Sequence, residues 1–200
     1  MIRLLIVLLL FHYNNGPACF LPVNSADRKS ISGLSLSEIG QFGLLRKARP
    51  GIPAHYHTGI DIRRPGKNYN DEPVYPVCEG RVISIRRDGP YAQIIIEHQA
   101  DVKFWTSYEH VAGIRVRLNE SVRPSTPVAR FMNREELDRY GWQFDHFHLE
   151  ILKICPSVIR PDRSNPERRF SSYTLVCFTK KDLDKYFYNP VEFLSDRLSN

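Results

Sequence analysis

From His57 to Leu152 the chain is dominated by short apolar or alternating runs separated by turn residues, and this period of two constrains the fold more than any other feature. Successive side chains of a strand point to opposite faces, so such runs describe antiparallel sheet rather than β-α repeats. The runs cover residues 74–78, 81–86, 92–98, 103–110, 126–131 and 144–152. Asp88-Gly89-Pro90 is a strong turn signal between the second and third, which are expected to pair as a hairpin.

One helix is expected to interrupt the scheme at residues 134–140. Asn133 stands at the N-cap position, Glu136 three residues on completes a capping box, and Gly141 closes the segment. Residues 19–50 carry little pattern and read as an N-terminal arm. Beyond Leu152 the Pro-, Arg- and Ser-rich stretch ending near Phe170 reads as a long excursion. SSYTLVCF should return as a strand, and residues 181–188 should form a closing helix. Residues 153–200 thus form an extension closing on a core at 51–152. With 200 residues, 42% of them hydrophobic, the chain suffices for one ordinary domain with a real core.

The apolar run at residues 4–11 follows Arg3 and precedes Asn14, Asn15, Gly16 and Ala18, the three-part layout of a secretory signal. Residues 1–18 are therefore expected to direct export to the periplasm, cell envelope or extracellular space. No stretch is apolar enough for a membrane-spanning helix. Cleavage just before Cys19 would open its thiol to lipid attachment, although Gly16-Pro17-Ala18 lacks the Leu of a bacterial lipoprotein signal. In an oxidising compartment thiols can pair. Cys155 and Cys177 are the expected bridge, and Cys78 is expected to be a free buried thiol. No pair has CxxC spacing, so neither a sulfur zinc site nor a thioredoxin-type couple is expected. A formal charge of +6, with basic pairs at Arg63-Arg64 and Arg86-Arg87, favours an anionic partner such as a wall polymer. Nothing resembles a nucleic-acid-binding motif, so nucleic acid is not an expected partner.

Five of the seven histidines fall in three short motifs: His57-Thr-Gly-Ile-Asp61 with His55 before it, Tyr108-Glu-His110, and His146-Phe-His148-Leu-Glu150. On a strand, His146, His148 and Glu150 share one face, while Phe147, Leu149 and Ile151 face the core. A catalytic zinc site takes three protein ligands and leaves a position open. His57, Asp61 and one of His146 and His148 supply that set. The nitrogen donors favour zinc over calcium or magnesium, while iron, nickel and manganese accept the same donors. His110 and the remaining member of the pair are then free to exchange protons or stabilise an oxyanion, an arrangement suited to hydrolysis. There is no HExxH helix, so a thermolysin-type Glu base is excluded. His12, in the leader, and His98, at a hairpin end, are read as bystanders.

HTGID, then TSYEH, then HFHLEI resemble the lysostaphin-like or LytM-type zinc endopeptidases, family twenty-three of the metallopeptidases, over roughly residues 51–152. DEPVYPVCEGRV is similar to the family's strand pair after the first motif, and residues 189–194 to its closing segment. The resemblance implies a mainly β fold, an antiparallel sheet or sandwich of the lysostaphin-like (duplicated hybrid motif) type with a few short helices. It further implies zinc held by His57, Asp61 and His148, catalytic histidines at His110 and His146, and peptidoglycan peptides as substrate. The chain departs from the family pattern in the helix-bearing segment before His146, and in lacking a tyrosine several residues upstream of His57, for which His55 or Tyr56 would substitute.

Two other readings use the same residues. A cupin-type enzyme would bind iron or manganese through His55, His57, Asp61 and His110 and leave the third motif without purpose. A non-catalytic wall-binding regulator of another hydrolase would share the fold without turnover.

Overall fold

The computed structural model describes residues 18–198. The expected leader at 1–18, Ala18 excepted, and His12 lie outside the described residues. The main sheet contains β1 (Ile60–Arg63), β2 (Gly80–Arg86), β3 (Gln93–Gln99), β4 (Lys103–Glu109), β5 (Ser121–Val122), β6 (His146–Leu152) and β7 (Phe187–Tyr188). Its order is β7-β6-β4-β3-β2-β5, all antiparallel, and β1 pairs with the free edge of β6 along its first half. The architecture is mainly β, with three short α-helices among the described residues, as the alternation predicts.

The expected hairpin is β2 and β3, joined across Asp88-Gly89-Pro90. The expected helix is α1 (Arg134–Tyr140). Asn133 accepts from the Glu136 backbone N–H at 2.9 Å, and the Glu136 side chain accepts from that of Asn133 at 2.7 Å. Gly141 ends it at a φ of 113°, which suits a residue without Cβ.

Local chemistry explains the departures. The run at 74–78 yields only Pro73–Val74, paired with Ala129–Arg130, because Pro76 has no N–H and the Val77 N–H donates to the Tyr108 hydroxyl. SSYTLVCF is not a continuous strand. Phe170–Ser171 pairs with Ser157–Val158, and Thr174–Val176 is a 3-10 turn. There the Thr174 N–H donates to the Ser172 hydroxyl, a side-chain bond that competes with sheet pairing. The closing helix is α2 (Lys180–Tyr186). Its expected last two residues leave it to form β7, because Phe187 is buried against the sheet.

The sheet is covered on both faces. Ile60, Ile62, Ile94, Ile96, Tyr108, Phe147, Leu149 and Ile151 face the larger core, with Leu21 and Val23 of the arm and Phe193 and Leu194 of α3 (Pro190–Leu198). Ile83, Ile95, Trp105 and Leu152 face the other side, covered by Cys177, Leu183 and Phe187 of the C-terminal segment.

The cysteine pairing expected from sequence is corrected. Cys19 is bonded to Cys78, while Cys155 is exposed and Cys177 buried as thiols. The arm lies along residues 74–77, with Phe20 N–H on the Val77 carbonyl and Tyr75 N–H on that of Pro22, and this brings the two sulfurs together. A sulfur held in that bond carries no lipid thioether, so lipid attachment at Cys19 is not supported. Among the described residues no helix is long and apolar enough to cross a membrane.

Candidate metal centre

The site forms where β1 meets β6. In register, Asp61 stands opposite His148 and Arg63 opposite His146. The connection from His57 into β1 passes so close to β6 that a Cβ on Gly59 would lie 2.1 Å from the Leu149 carbonyl oxygen, so this position requires glycine. Across the other edge of β1 runs the arm. Ser37 N–H donates to the Asp61 carbonyl, Asp61 N–H to that of Gly40, and Arg63 N–H to that of Ser35. Backbone on both sides therefore holds Asp61 in place.

Three donor atoms converge. His57 Nε2 is 3.0 Å from Asp61 Oδ1 and 3.0 Å from His148 Nδ1, which is itself 2.9 Å from Asp61 Oδ1. All three residues are buried, and among the described residues they form the group able to hold a metal ion. Their environment sets the tautomers. His57 Nδ1 is 2.9 Å from the Gln41 carbonyl, which only accepts, so Nδ1 carries the proton and Nε2 the lone pair. His148 Nε2 lies 3.4 Å from Glu150 Oε1, and a proton held there would leave Nδ1 as the lone-pair atom. With His57 and His148 each protonated on the far nitrogen, three lone-pair atoms would face one another, an arrangement that suits a bound cation. A tetrahedral zinc with bonds of about 2.0–2.1 Å would separate its ligands by about 3.3 Å, close to the spacing found.

Charge follows the same logic. Burial would raise the Asp61 carboxyl, but hydrogen bonds with His148 and His57 hold it far below the usual carboxylate range. Burial pushes His57 down more strongly than Asp61 raises it, favouring the neutral ring that binds a metal. His148, also disfavoured as a cation by burial, is pulled up by Asp61 and Glu150.

The supporting residues are specific. Glu150 Oε1 accepts from the hydroxyls of Thr58 at 2.6 Å and Thr174 at 2.7 Å, so the C-terminal segment helps fix the carboxylate behind His148. Arg46 Nη2 donates to Asp61 Oδ2 at 2.9 Å and leaves Oδ1 turned to the histidines. Sequence reasoning identified Glu150 but missed Arg46, Gln41 and the threonines. Arg46 reaches Asp61 only because Leu45–Arg46 pairs with His55–Tyr56, and no local signal announces that contact.

His110 and His146 lie beside the cluster. Their rings meet edge to face at 5.4 Å between centroids, and His146 Nε2 is 3.7 Å from Asp61 Oδ1. His110 is left-handed at φ 65°, a costly conformation for a residue with a Cβ and one often kept at functional sites. Its Nδ1 donates to the Pro90 carbonyl at 2.6 Å, so Nε2 is free to accept a proton. Burial, chiefly, lowers both rings, His110 to about 3, and keeps them neutral.

The remaining histidines stand apart. His55 Nδ1 bonds the Pro53 carbonyl outside the donor group, against the cupin ligand set. His98 is buried in the sheet between the Glu79 carbonyl and the Thr106 hydroxyl.

A family model described as Peptidase family M23 matches residues 55–161, more than half of the chain. No curated protein matches the sequence. Among solved structures, the solution structure of lysostaphin is similar at a TM-score of 0.50 with 14% identity, over 84% of this chain and 52% of that one. A zinc-containing peptidase from Vibrio cholerae has a TM-score of 0.46 and 25% identity, over 68% and 37%. A SpoIIIAH and SpoIIQ complex has a TM-score of 0.48 and 14% identity, over 88% and 99%. The chain therefore spans about half the length of lysostaphin and little more than a third of the Vibrio cholerae peptidase. The lysostaphin likeness shows the fold, and the match over residues 55–161 shows the family: this chain belongs to peptidase family M23.

Proposed function

We propose that the protein is an exported zinc-dependent endopeptidase that hydrolyses peptide cross-links of bacterial peptidoglycan. The observation that carries this reading is the convergence of His57 Nε2, Asp61 Oδ1 and His148 Nδ1 within about hydrogen-bond distance of one another, beside two further histidines. Zinc held by these three residues would supply Lewis acidity toward a peptide carbonyl and bring the acidity of water near neutrality.

The chain's own groups account for the rest. His110 presents an unprotonated Nε2 and takes up a proton there, with the Pro90 carbonyl fixing the opposite nitrogen. His146, on the rim of the cluster, steadies the negative charge that develops on the peptide oxygen by donating a hydrogen bond. Glu150 holds His148 in the tautomer that offers Nδ1, and Arg46 restricts Asp61 to one oxygen.

Purified sacculi incubated with the zinc-loaded protein should gain new amine termini, and a chelator should abolish the gain. Sacculi bound without new termini, across several cross-link chemistries, would instead favour the wall-binding regulator.

A further inference from the structure

Arg63 follows Asp61 by two residues on β1, so its side chain projects to the same face, directly across from His146. With His146, Tyr69, Trp142 and Gln143 it lines a cavity of about 340 Å³ that opens beside the donor cluster. The basic pair Arg63-Arg64 divides here into two roles. Arg64 is structural. Its guanidinium is buried, ion-paired with Asp145 at 2.8 Å, donates to the carbonyls of Asn68 and Met132, and lies over the rings of Tyr69 and Phe131.

Among the described residues Asp145 is the only carboxylate lining the cavity, and its two oxygens face Arg64 and the Tyr69 hydroxyl. Arg63, by contrast, is exposed, and among the described residues it has no carboxylate at ion-pair distance. Arg134 adds positive charge over the rings of Tyr69 and Trp142, while Asp138 accepts from the Trp142 indole N–H at 2.9 Å on the same side. The indole of Trp142 is 46% exposed and forms a second, apolar wall. One uncompensated guanidinium and one open aromatic surface thus adjoin a candidate catalytic histidine. A planar guanidinium matches a carboxylate in shape and charge.

We propose that this cavity is a subsite recognising a free carboxylate on the peptide substrate, through Arg63, while Trp142 bears on the apolar part of the same residue. The inference rests on the endopeptidase reading and adds the chemical class of the substrate. Arg63 lies two positions along β1 from Asp61, about 7 Å in an extended chain, so the carboxylate belongs within about two residues of the scissile bond.

The test uses two peptides identical except that one bears a carboxylate and the other a carboxamide at that position. The zinc-loaded protein should prefer the carboxylate by about tenfold or more in kcat/KM, mainly through KM, the scale of one charge-assisted hydrogen bond. The ratio should collapse toward unity in Arg63→Gln, recover in part in Arg63→Lys, and shrink with added salt. An equal rate on both peptides, or a ratio that survives Arg63→Gln, overturns the proposal. If neither peptide is cut, the endopeptidase reading fails, and binding to the metal-free protein then decides the subsite. Of the two tryptophans Trp105 is buried, so emission changes would report on Trp142. A saturable change with the carboxylate peptide, lost in Arg63→Gln, supports the subsite; no change, or the same change with the carboxamide, overturns it.

Discussion

Replacing Glu150 with Gln separates the charge behind the candidate metal centre from its shape. Oε1 accepts from Thr58 and Thr174 at 2.6 and 2.7 Å and stands 3.4 Å from His148 Nε2, and an amide oxygen in the same place keeps these contacts while losing the negative charge. Two full charges at 3.4 Å in an effective dielectric of about 20 interact by about 5 kcal/mol, an upper bound because a metal-bound imidazole carries only part of a charge. Carboxylates in this position behind a ligand histidine are worth about 10–100-fold in metal affinity, or about 1.4–2.7 kcal/mol, and that is the loss expected here. Stability of the metal-free fold should change little through the second oxygen, because Oε2 is already buried without a hydrogen-bond partner among the described residues and the substitution exchanges one such atom for another. Thr174→Val, which removes one donor and keeps the carboxylate, should lose less than about tenfold in zinc affinity. Competition titration against a chelator measures affinity, and thermal melts of the metal-free proteins measure stability. The reasoning fails if Glu150→Gln holds zinc within about twofold of the parent, or no more weakly than Thr174→Val does.

Three further outcomes are expected. His148→Ala should lose zinc, while His110→Ala and His146→Ala should retain it and lose about 100-fold or more in turnover; equal zinc loss in all three, measured by metal analysis, would refute the division of roles. His98, held down to about 4 by burial, is neutral in the folded state and protonates below about 6.5 when unfolded. The unfolded chain therefore binds the extra proton between those values, and its stabilising contribution is complete above about pH 6.5 and lost as pH falls toward 4, about 3 kcal/mol in all. Denaturant titrations across that window should show a shallower pH dependence in His98→Gln. Reducing Cys19–Cys78, which closes a loop with a sequence separation of 59, should cost about 4 kcal/mol and lower Tm by about 8–16 °C. An unchanged melt under reductant would show that the arm is held by Leu21 and Val23 alone.

The sheet was legible because its strands have two unlike faces. β2, β3, β4 and β6 each begin and end within about two residues of the runs read from sequence, and Phe147, Leu149 and Ile151 enter the core as alternation requires. α1 was legible because its signals lie within eight residues of one another, cap to terminating glycine. The segment around Thr174 was not, because its β-prone composition yields to a serine and a threonine that bond their own backbone and Glu150. The cysteines misled for a related reason. Proximity in sequence favoured Cys155 and Cys177, whereas Cys19 meets Cys78 through an arm whose docking is written in no local pattern.

By itself the sequence determined which side chains were available for a metal and which face of the last strand would present them, since both follow from residue type and a period of two. It did not rank His146 against His148, which share that face. Tertiary pairing made the distinction: Asp61 stands across from His148 and Arg63 across from His146, so one imidazole joins a buried carboxylate and the other borders an open, cationic cavity. Alternation is a property of neighbours along the chain, while coordination depends on which strand lies opposite, and that is decided only when distant segments pack.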